Sequence, residues 1–289
     1  MKKLSIIILS YNTADLLEKC LASIYAHAQG LDFEVIVVDN ASQDVSCAMV
    51  EKKFPQVKLI QCKKNLGYAK GNNFGAQKAQ GKYFFFLNSD TEIIGESLTI
   101  MVELMEKNEL IGILGPKFFY PDGSTQNSVG NFYSLTKMIA FISGAEKILG
   151  ITRRSPDKFE FVEWISGAAF LIRSASFKKL GGFSEELFMY MEEVELCYRA
   201  KLAGMKTAFT PEAKIIHKEL GSAKEGKKQA MLGIYQGLIY FYKKYFPAWQ
   251  LSVLKMLLKT KAVVYIVVGF LIGNKNLQTT YEQAFRLVK

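Results

Sequence analysis

Residues 4–40 read LSIIILSYNTADLLEKCLASIYAHAQGLDFEVIVVDN and contain the pattern that decides the fold. Two apolar runs rich in β-branched residues, 4–9 and 34–38, have the composition of buried strands. Between them, apolar residues recur with the i, i+3, i+4, i+7 spacing of one helical face: Leu17, Cys20, Leu21 and Ile24. The stretch therefore predicts a strand, an amphipathic helix and a second strand.

The same alternation continues through the N-terminal third of the chain. Residues 57–60 and 83–87 predict two more strands, with a helix over about residues 68–80 between them. Repeated βα units build a mostly parallel sheet with helices on its faces. A chain of 289 residues with 49% hydrophobic content can bury such a core, so the predicted fold class is α/β.

The basic charge is concentrated in the C-terminal part of the chain. The formal net charge is +10, and the residues from Lys218 onward include twelve Lys or Arg against three Glu. This part has a helical pattern, so we predict a main domain over residues 1–222 and a helical, amphipathic, basic segment over residues 223–289. The longest apolar run, residues 262–273, falls short of the roughly 20 residues of a membrane-spanning helix.

Several common functional classes lack their sequence signatures here. The four cysteines form no C-x-x-C pair, which argues against a disulfide scaffold or a zinc knuckle and is typical of a reducing compartment. Gly75 and Gly81 resemble a Walker A loop, but five residues separate them where four are needed, and Tyr83 replaces Ser or Thr. No G-x-G-x-x-G occurs. ATPases and dinucleotide oxidoreductases are therefore disfavoured.

Polar residues follow three of the predicted strands. They are Ser10, Tyr11 and Asn12, then Asp39, then Asn88, Ser89 and Asp90. Parallel sheets bind ligands at the carboxyl ends of their strands. Asp39 can accept the N–H of a pyrimidine ring or a ribose hydroxyl, and its alternative role is to cap the following turn. Asp90 can bind a hard divalent cation shared with substrate phosphates, and its alternative role is also a turn or helix cap.

A second group of titratable side chains lies nearer the C-terminus. Glu192, Glu193 and Glu195 place three carboxylates in four positions at the start of a helical pattern. Crowding raises the pKa of a carboxylate and suits a general base, whereas the helix macrodipole also favours acidic residues in a first turn. His217 follows a strand-like run and is either a metal ligand or a structural histidine.

Together these motifs resemble those of glycosyltransferase family 2, in particular of its rhamnosyltransferase-like bacterial members. The resemblance covers nearly the whole chain. The matching segments are SIIILSYNT (5–13), VVDNASQD (37–44), NLG (65–67), GNNFG (71–75), LNSDT (87–91), WISGA (164–168), GFSE (182–185), the Glu192-Glu193 pair and the segment from His217 to Ser222. LNSDT stands where the family has its D-x-D metal motif, and the glutamate pair where the family has its E-D pair.

The resemblance implies a GT-A, Rossmann-like fold and a single displacement that inverts the anomeric carbon of a nucleoside-diphosphate sugar. It implies Glu193 as the general base, and Asp90 and His217 as ligands of a divalent cation, Mn²⁺ or Mg²⁺. The residues implied in nucleotide binding are Ser10, Tyr11, Asn12, Asp39, Asn65, Gly67, Asn73, Asn88 and Ser89. Those implied in acceptor binding are Trp164, Gly167, Glu192 and Glu195.

Two residues depart from the family pattern. Asn88 replaces the first Asp of D-x-D, and Glu193 stands where the usual base is Asp. The departures leave one motif carboxylate for the cation and shift the base by about one bond length. A second hypothesis is therefore a catalytically impaired homologue that binds nucleotide sugar and acts as a scaffold in polysaccharide assembly.

The expected reaction moves one sugar, from dTDP-rhamnose or a UDP-sugar, to a hydroxyl of a lipid-linked or growing cell-surface glycan. The tail mixes residues 240–245, Trp249, Leu254, Leu257 and Leu258 with Lys243, Lys244, Lys255 and Lys259. Such helices bind anionic membrane surfaces, so we expect a cytoplasmic enzyme that is peripheral on the inner face of the cell membrane. The alternative for the tail is a helical lid or a homodimer contact. No nucleic-acid partner is expected, because interleaved apolar runs suit lipid better than phosphate tracking.

Overall fold

The computed structural model describes residues 3–143, 153–219 and 226–289. The chain divides into two compact units. The first comprises Met1–Gly130, Arg153–Phe188 and Glu192–Lys224, and the second comprises Asn131–Thr152, Met189–Met191 and Glu225–Lys289. The predicted domain boundary between residues 222 and 223 lies outside the described residues, as does Ser222 of the His-to-Ser segment, so that boundary stays a prediction.

Strands and helices alternate along the chain. The strands are β1 (Leu4–Ser10), β2 (Phe33–Asp39), β3 (Lys58–Gln61), β4 (Tyr83–Asn88), β5 (Thr91–Ile94), β6 (Ile111–Phe119), β7 (Thr125–Gln126), β8 (Val129–Gly130), β9 (Arg153–Arg154), β10 (Glu160–Val162), β11 (Trp164–Ile165), β12 (Ala169–Arg173) and β13 (Lys206–His217). The helices are α1 (Ala14–His27), α2 (Ser46–Lys53), α3 (Gly67–Lys78), α4 (Ser97–Lys107), α5 (Leu135–Ser143), α6 (Ser174–Leu180), α7 (Glu192–Leu202), α8 (Gly226–Tyr245), α9 (Ala248–Leu271) and α10 (Lys275–Leu287). The βα units predicted for the N-terminal third are all present.

Strands β1 to β4 form the parallel half of the main sheet of the first unit, in the spatial order β3-β2-β1-β4. The register places Ser10 of β1 beside Asp39 of β2, and Leu9 of β1 beside Asn88 of β4. The carboxyl ends of these three strands therefore meet at one edge of the sheet, as predicted.

Beyond β4 the sheet is mixed. Strand β12 runs antiparallel to both β4 and β6, whereas β6 and β13 are parallel to each other. The short strand β5 pairs with β13 and sets His217 opposite Thr91, the residue that follows Asp90. The α/β class with a mostly parallel central sheet is thus confirmed, and the return of β13 brings a late chain segment to the predicted edge.

Close packing holds α3 against the parallel strands. A Cβ added to Gly75 would lie 2.7 Å from Cγ2 of Ile7 and 2.9 Å from Cγ2 of Val38. Protein interiors are packed densely enough that a larger side chain there would push the helix off the sheet. The glycines of the GNNFG segment therefore let α3 approach β1 and β2 closely, which sets the position of the helix start beside the strand ends.

The second unit is helical, as predicted for the C-terminal segment. Helix α9 packs against α8 and α10, and its inward side chains are Leu254, Leu258 and Ala262. The ring of Tyr265 stacks on that of Tyr281 with centroids 4.6 Å apart, which ties α9 to α10. None of the helices among the described residues combines the length and the apolar character that crossing a bilayer requires.

Candidate active site

Asp39 is the last residue of β2, and only one of its two carboxylate oxygens accepts a hydrogen bond. The Oδ1 atom accepts a hydrogen bond from the backbone N–H of Ser42 at 2.9 Å. The Oδ2 atom is buried and has no hydrogen-bond partner. An unmade hydrogen bond of a buried carboxylate is costly, and native proteins rarely leave one without a reason. Asp39 thus offers an acceptor for a ligand at the sheet edge while it also shapes its own turn.

The loops after β1 and β2 are held together by Asn12. Its Oδ1 accepts from the backbone N–H of Gln43 at 2.6 Å, and its own N–H donates to Oγ of Ser42 at 2.9 Å. Asn12 has a φ of 54°, in the left-handed region that asparagine tolerates better than most residues. Asn12 therefore shapes the loop beside the exposed ring of Tyr11, and its contact with a nucleotide stays a prediction.

Ser10 and Ser89 lie in a buried chain of hydroxyl groups. Oγ of Ser10 lies 2.9 Å from Oγ1 of Thr13, which lies 3.0 Å from Oγ of Ser89. This chain links the end of β1 to the residue that follows β4. The neighbouring Asn88 is tied to the sheet through its backbone N–H, which donates to the carbonyl of Ala168 at 2.8 Å. Ser10 and Ser89 therefore help to hold the ends of β1 and β4 together through buried hydrogen bonds.

Asn65 and Gly67 build the start of α3. Oδ1 of Asn65 accepts from Nδ2 of Asn40 and from the backbone N–H of Gly67, both at 2.9 Å. Gly67 has a φ of 77°, and a Cβ there would collide with Phe188. Glycine is therefore required on two grounds, its left-handed backbone and the absence of space.

Asn73 is a brace within the first unit. Its Nδ2 donates to the carbonyl oxygen of Phe183, and its Oδ1 accepts from the N–H of the same residue, both at 2.9 Å. This reciprocal pair joins α3 to the GFSE segment. The amide is fully engaged with the protein, so the structure brings Asn73 near the site as a support.

Asp90 and His217 form a pair that fits a divalent cation. Oδ1 of Asp90 is buried without a hydrogen bond and lies 3.6 Å from Nε2 of His217. Nδ1 of His217 lies 2.7 Å from Oε1 of Gln126, an acceptor, so Nδ1 holds the proton and Nε2 presents its lone pair to Asp90. Burial, which outweighs the charge of Asp90, holds the pKa of His217 below its ordinary value.

A positive charge between the carboxylate oxygen and the imidazole nitrogen would stabilise the lone pairs of both groups. A carboxylate oxygen and an imidazole nitrogen suit a divalent metal ion, with water and substrate phosphate completing its coordination. Within the described ranges, no cluster of three or more His, Cys, Asp or Glu side chains forms a complete cage. The pair therefore fits a cation whose remaining ligands come from the substrate and from solvent.

The carboxylates at the start of α7 differ sharply in environment. Glu192 is buried, and its Oε2 has no hydrogen-bond partner. Burial, and then the charge of Glu193, raises the pKa of Glu192 well above its usual range. Glu193 lies against the WISGA segment, because a Cβ on Gly167 would be 3.5 Å from the Cβ of Glu193. The hydroxyl of Tyr68 donates to the carbonyl of Gly167 at 2.5 Å and links this corner to α3.

Two residues predicted to bind acceptor have other partners. Glu195 is 0% exposed, and its carboxylate accepts hydrogen bonds from Nε and Nη2 of Arg199 at 2.6–2.9 Å. Trp164 is 1% exposed, and the guanidinium of Arg153 lies over its ring. Both side chains are thus buried in the first unit and held by arginines, and their contact with an acceptor stays a prediction.

Sequence reasoning missed several residues that shape the site. They are Thr13, Asn40, Ser42, Tyr68, Gln126 and Arg199. The first four lie inside or next to the motifs named above, in which ligand contacts were predicted mainly for residues at the strand ends. Gln126 lies in a two-residue strand outside every motif, and no sequence signal could have paired it with His217.

Comparison with known proteins points to one family. Residues 5–181 match the model described as glycosyl transferase family 2. The chain is 28% identical over 237 residues to N-acetylglucosaminyl-diphospho-decaprenol L-rhamnosyltransferase of Mycobacterium tuberculosis, covering 74% of this chain and 75% of the relative. It is 26% identical over 221 residues to rhamnosyltransferase WbbL of Escherichia coli K12, covering 73% and 82%. The fold resembles that of mannosyltransferase PcManGT from Pyrobaculum calidifontis, solved with GDP-Man and Mn²⁺, with a TM-score of 0.59, 17% identity and coverage of 99% and 85%.

Proposed function

Because this chain belongs to glycosyltransferase family 2, we propose that it transfers one sugar from a pyrimidine nucleoside-diphosphate sugar to a hydroxyl of a lipid-linked or growing cell-surface glycan. The chain is a glycosyltransferase of polysaccharide and glycan synthesis. The names of two relatives support rhamnose as the sugar, with dTDP-rhamnose as the first donor and a UDP-sugar as the second. The name of the mycobacterial relative, which includes a diphospho-decaprenol, supports a lipid-linked acceptor. The inner face of the cell membrane is part of the proposal as the place of the reaction.

The observation behind the proposal is a pair of buried, unsatisfied carboxylate oxygens at one edge of the sheet. Oδ2 of Asp39 and Oδ1 of Asp90 follow β2 and β4, the two strands that flank β1. The two oxygens suit different tasks, since Asp39 can accept from a ribose hydroxyl or a pyrimidine N–H while Asp90 faces His217. A nucleoside diphosphate laid across the strand ends would satisfy both.

In the proposed reaction, Glu193 takes the proton from the acceptor hydroxyl. The oxygen of that hydroxyl attacks the anomeric carbon, the bond from that carbon to the diphosphate breaks, and the diphosphate leaves with the electron pair from the opposite face, which inverts the anomeric centre. Asp90 and His217 would hold a divalent cation, Mn²⁺ or Mg²⁺, which when bound supplies positive charge for the departing diphosphate. Burial raises the pKa of Glu192, the neighbour of this proposed base, well above its usual range.

The test is a donor titration by calorimetry. UDP, dTDP, GDP and their sugars are titrated into the purified chain with and without Mn²⁺ or Mg²⁺. We expect one pyrimidine nucleotide to bind, more tightly when the cation is present. Asp90→Asn should lose the effect of the cation, whereas Asp157→Asn, at an exposed position on the same unit, should keep it.

Turnover separates the two functions considered from the sequence. Release of nucleoside diphosphate in the presence of a polyprenyl-diphosphate glycan supports transfer. Binding of a nucleotide sugar without turnover on any acceptor would overturn the transferase proposal in favour of a scaffold role. Failure of every nucleotide in the panel to bind would contradict the assignment of the strand edge as the donor site.

A further inference from the structure

One face of α9 carries exposed apolar side chains from the first turn of the helix to the last. We call it the α9 stripe and define it by Trp249, Met256, Val263, Val267, Phe270 and Leu271. Their exposed fractions range from 46% to 74%. The spacings of three, four and seven residues place these side chains on one side of a helix. The stripe therefore runs over the 23 residues from Trp249 to Leu271, or about 35 Å of helix, with the exposed Ser252 and Thr260 between its apolar members.

The opposite face of α9 already supplies the core of the second unit. Leu254, Leu258 and Ala262 are each 0% exposed, and Oη of Tyr235 on α8 donates to the carbonyl of Leu258 at 3.2 Å. Leu254 and Leu258, which the sequence groups among the apolar residues of the basic tail, therefore belong to the core of the second unit and not to its exposed surface. The stripe consists of other residues, and the unit folds without covering them.

The charges around the stripe have one sign. Between residues 248 and 271 there is no Asp or Glu. Lys255 and Lys259 lie along one border of the stripe, one residue before Met256 and one before the exposed Thr260. At its two ends stand exposed Lys244, in the last turn of α8, and exposed Lys275, at the start of α10. An exposed apolar surface with a basic border is thus present on one helix.

We propose that the α9 stripe lies in the plane of an anionic lipid bilayer, with Phe270 and Leu271 inserted among the acyl chains and the bordering lysines against the headgroups. Apolar side chains gain from leaving water, and each lysine near an anionic surface gains from its potential. A second copy of the chain suits the stripe less well than a bilayer does. Two stripes packed face to face would bring lysines together, and neither helix offers a carboxylate to offset their repulsion. The expectation that the chain works at a bilayer rests on the proposed function, whose acceptor is lipid-linked. The presence of the α9 stripe does not depend on that function.

The chain holds a built-in probe for this contact. It has two tryptophans, of which Trp249 lies on the stripe and is 61% exposed, whereas Trp164 is buried in the first unit. Full-length protein is titrated with vesicles of phosphatidylglycerol and phosphatidylcholine, without donor or acceptor. We expect a blue shift of the emission of Trp249 and co-sedimentation with the vesicles. Affinity for vesicles of phosphatidylcholine alone should be at least about tenfold lower, because the bordering lysines lose their countercharge.

Paired variants locate the contact. Val267→Glu combined with Leu271→Glu changes two exposed stripe residues and should lower vesicle affinity by at least about tenfold, since a carboxylate resists transfer to an apolar layer and repels anionic lipid. The matched control is Leu110→Glu combined with Leu202→Glu, at exposed positions of the first unit, which should bind vesicles as the wild type does.

Three results would overturn the proposal. They are equal vesicle affinity of the stripe variant and the wild type, equal affinity for neutral and anionic vesicles, and a dimer in light scattering that the stripe variant abolishes. Nucleotide titration of the same samples keeps the two proposals apart. A protein that binds vesicles but no nucleotide contradicts the donor site alone, and one that binds nucleotide but no vesicle contradicts the α9 stripe alone.

Discussion

Glu193 and Glu195 stand two residues apart on α7, yet their replacement should have opposite consequences. The carboxylate of Glu195 is buried against Arg199, whose Nη2 also donates to the carbonyl of Gly182 at 2.7 Å. Glu195→Ala would leave this guanidinium without its counter-ion in a place where its side chain is only 17% exposed. Glu193→Gln keeps the shape of its side chain and removes only the ability to take a proton.

The cost of the first change follows from burial. Removing one partner of a buried ion pair costs about 3–5 kcal/mol, because the remaining charge is left uncompensated. At about 2–4 °C of melting temperature per kcal/mol for a unit of this size, Glu195→Ala should melt roughly 10 °C below the wild type. Glu193→Gln should melt as the wild type does and lose about 10²- to 10⁴-fold in turnover, the usual contribution of a general base.

Thermal melting, donor titration and turnover are measured on the same preparations. Glu186→Ala, at an exposed position ahead of α7, serves as the control and should change none of the three. The reasoning is refuted if Glu195→Ala melts with the wild type and instead raises KM for the acceptor, since Glu195 would then bind acceptor as the sequence suggested. Full turnover of Glu193→Gln would remove the base assignment.

Three further predictions test other parts of the site. The pKa of Glu192 is raised in the folded state, so the wild type should lose stability as pH rises from the ordinary glutamate range through the folded-state pKa. Glu192→Gln should abolish that loss in melting curves recorded across pH. Gly67→Ala should cost more than the roughly 1–2 kcal/mol of a left-handed residue and should weaken nucleotide binding, whereas Gly30→Ala, with a similar φ and open space around it, should cost only the backbone term in denaturant titrations. Gln126→Leu should reduce the affinity for Mn²⁺ by about tenfold, because Nδ1 of His217 loses its acceptor, while binding of nucleotide without metal should not change in calorimetry.

Much of the nucleotide side of the site was accessible from sequence because its residues follow strands. The alternation of β-branched runs with helical periodicity predicts parallel βα units, and parallel strands bring their carboxyl ends to one edge. Asp39 and Asp90 could therefore be placed together before any contact was known. The approach of His217 to Asp90 was harder to predict, since it depends on the pairing of β13 with β5, a contact between segments far apart in the chain.

Where residues of one type crowd together, sequence could not assign their roles. Glu192, Glu193 and Glu195 look alike in the sequence, but only two residues of helix separate Glu195, in a buried ion pair, from Glu193, beside the WISGA segment. The difference comes from Arg199 one turn further along α7 and from Gly167 on another element. Neither neighbour can be inferred from the spacing of the acids alone.

The sequence by itself determined the α/β class, the order of the βα units, the strand edge that holds Asp39 and Asp90, and the basic helical character of the tail, because periodicity and charge are local properties. Only the tertiary structure decided which apolar residues of α9 face solvent. That helix is apolar on most of its circumference, so its own pattern cannot choose a buried side. The packing of α8 and α10 makes the choice, covering Leu254 and Leu258 and leaving Val267 and Leu271 exposed.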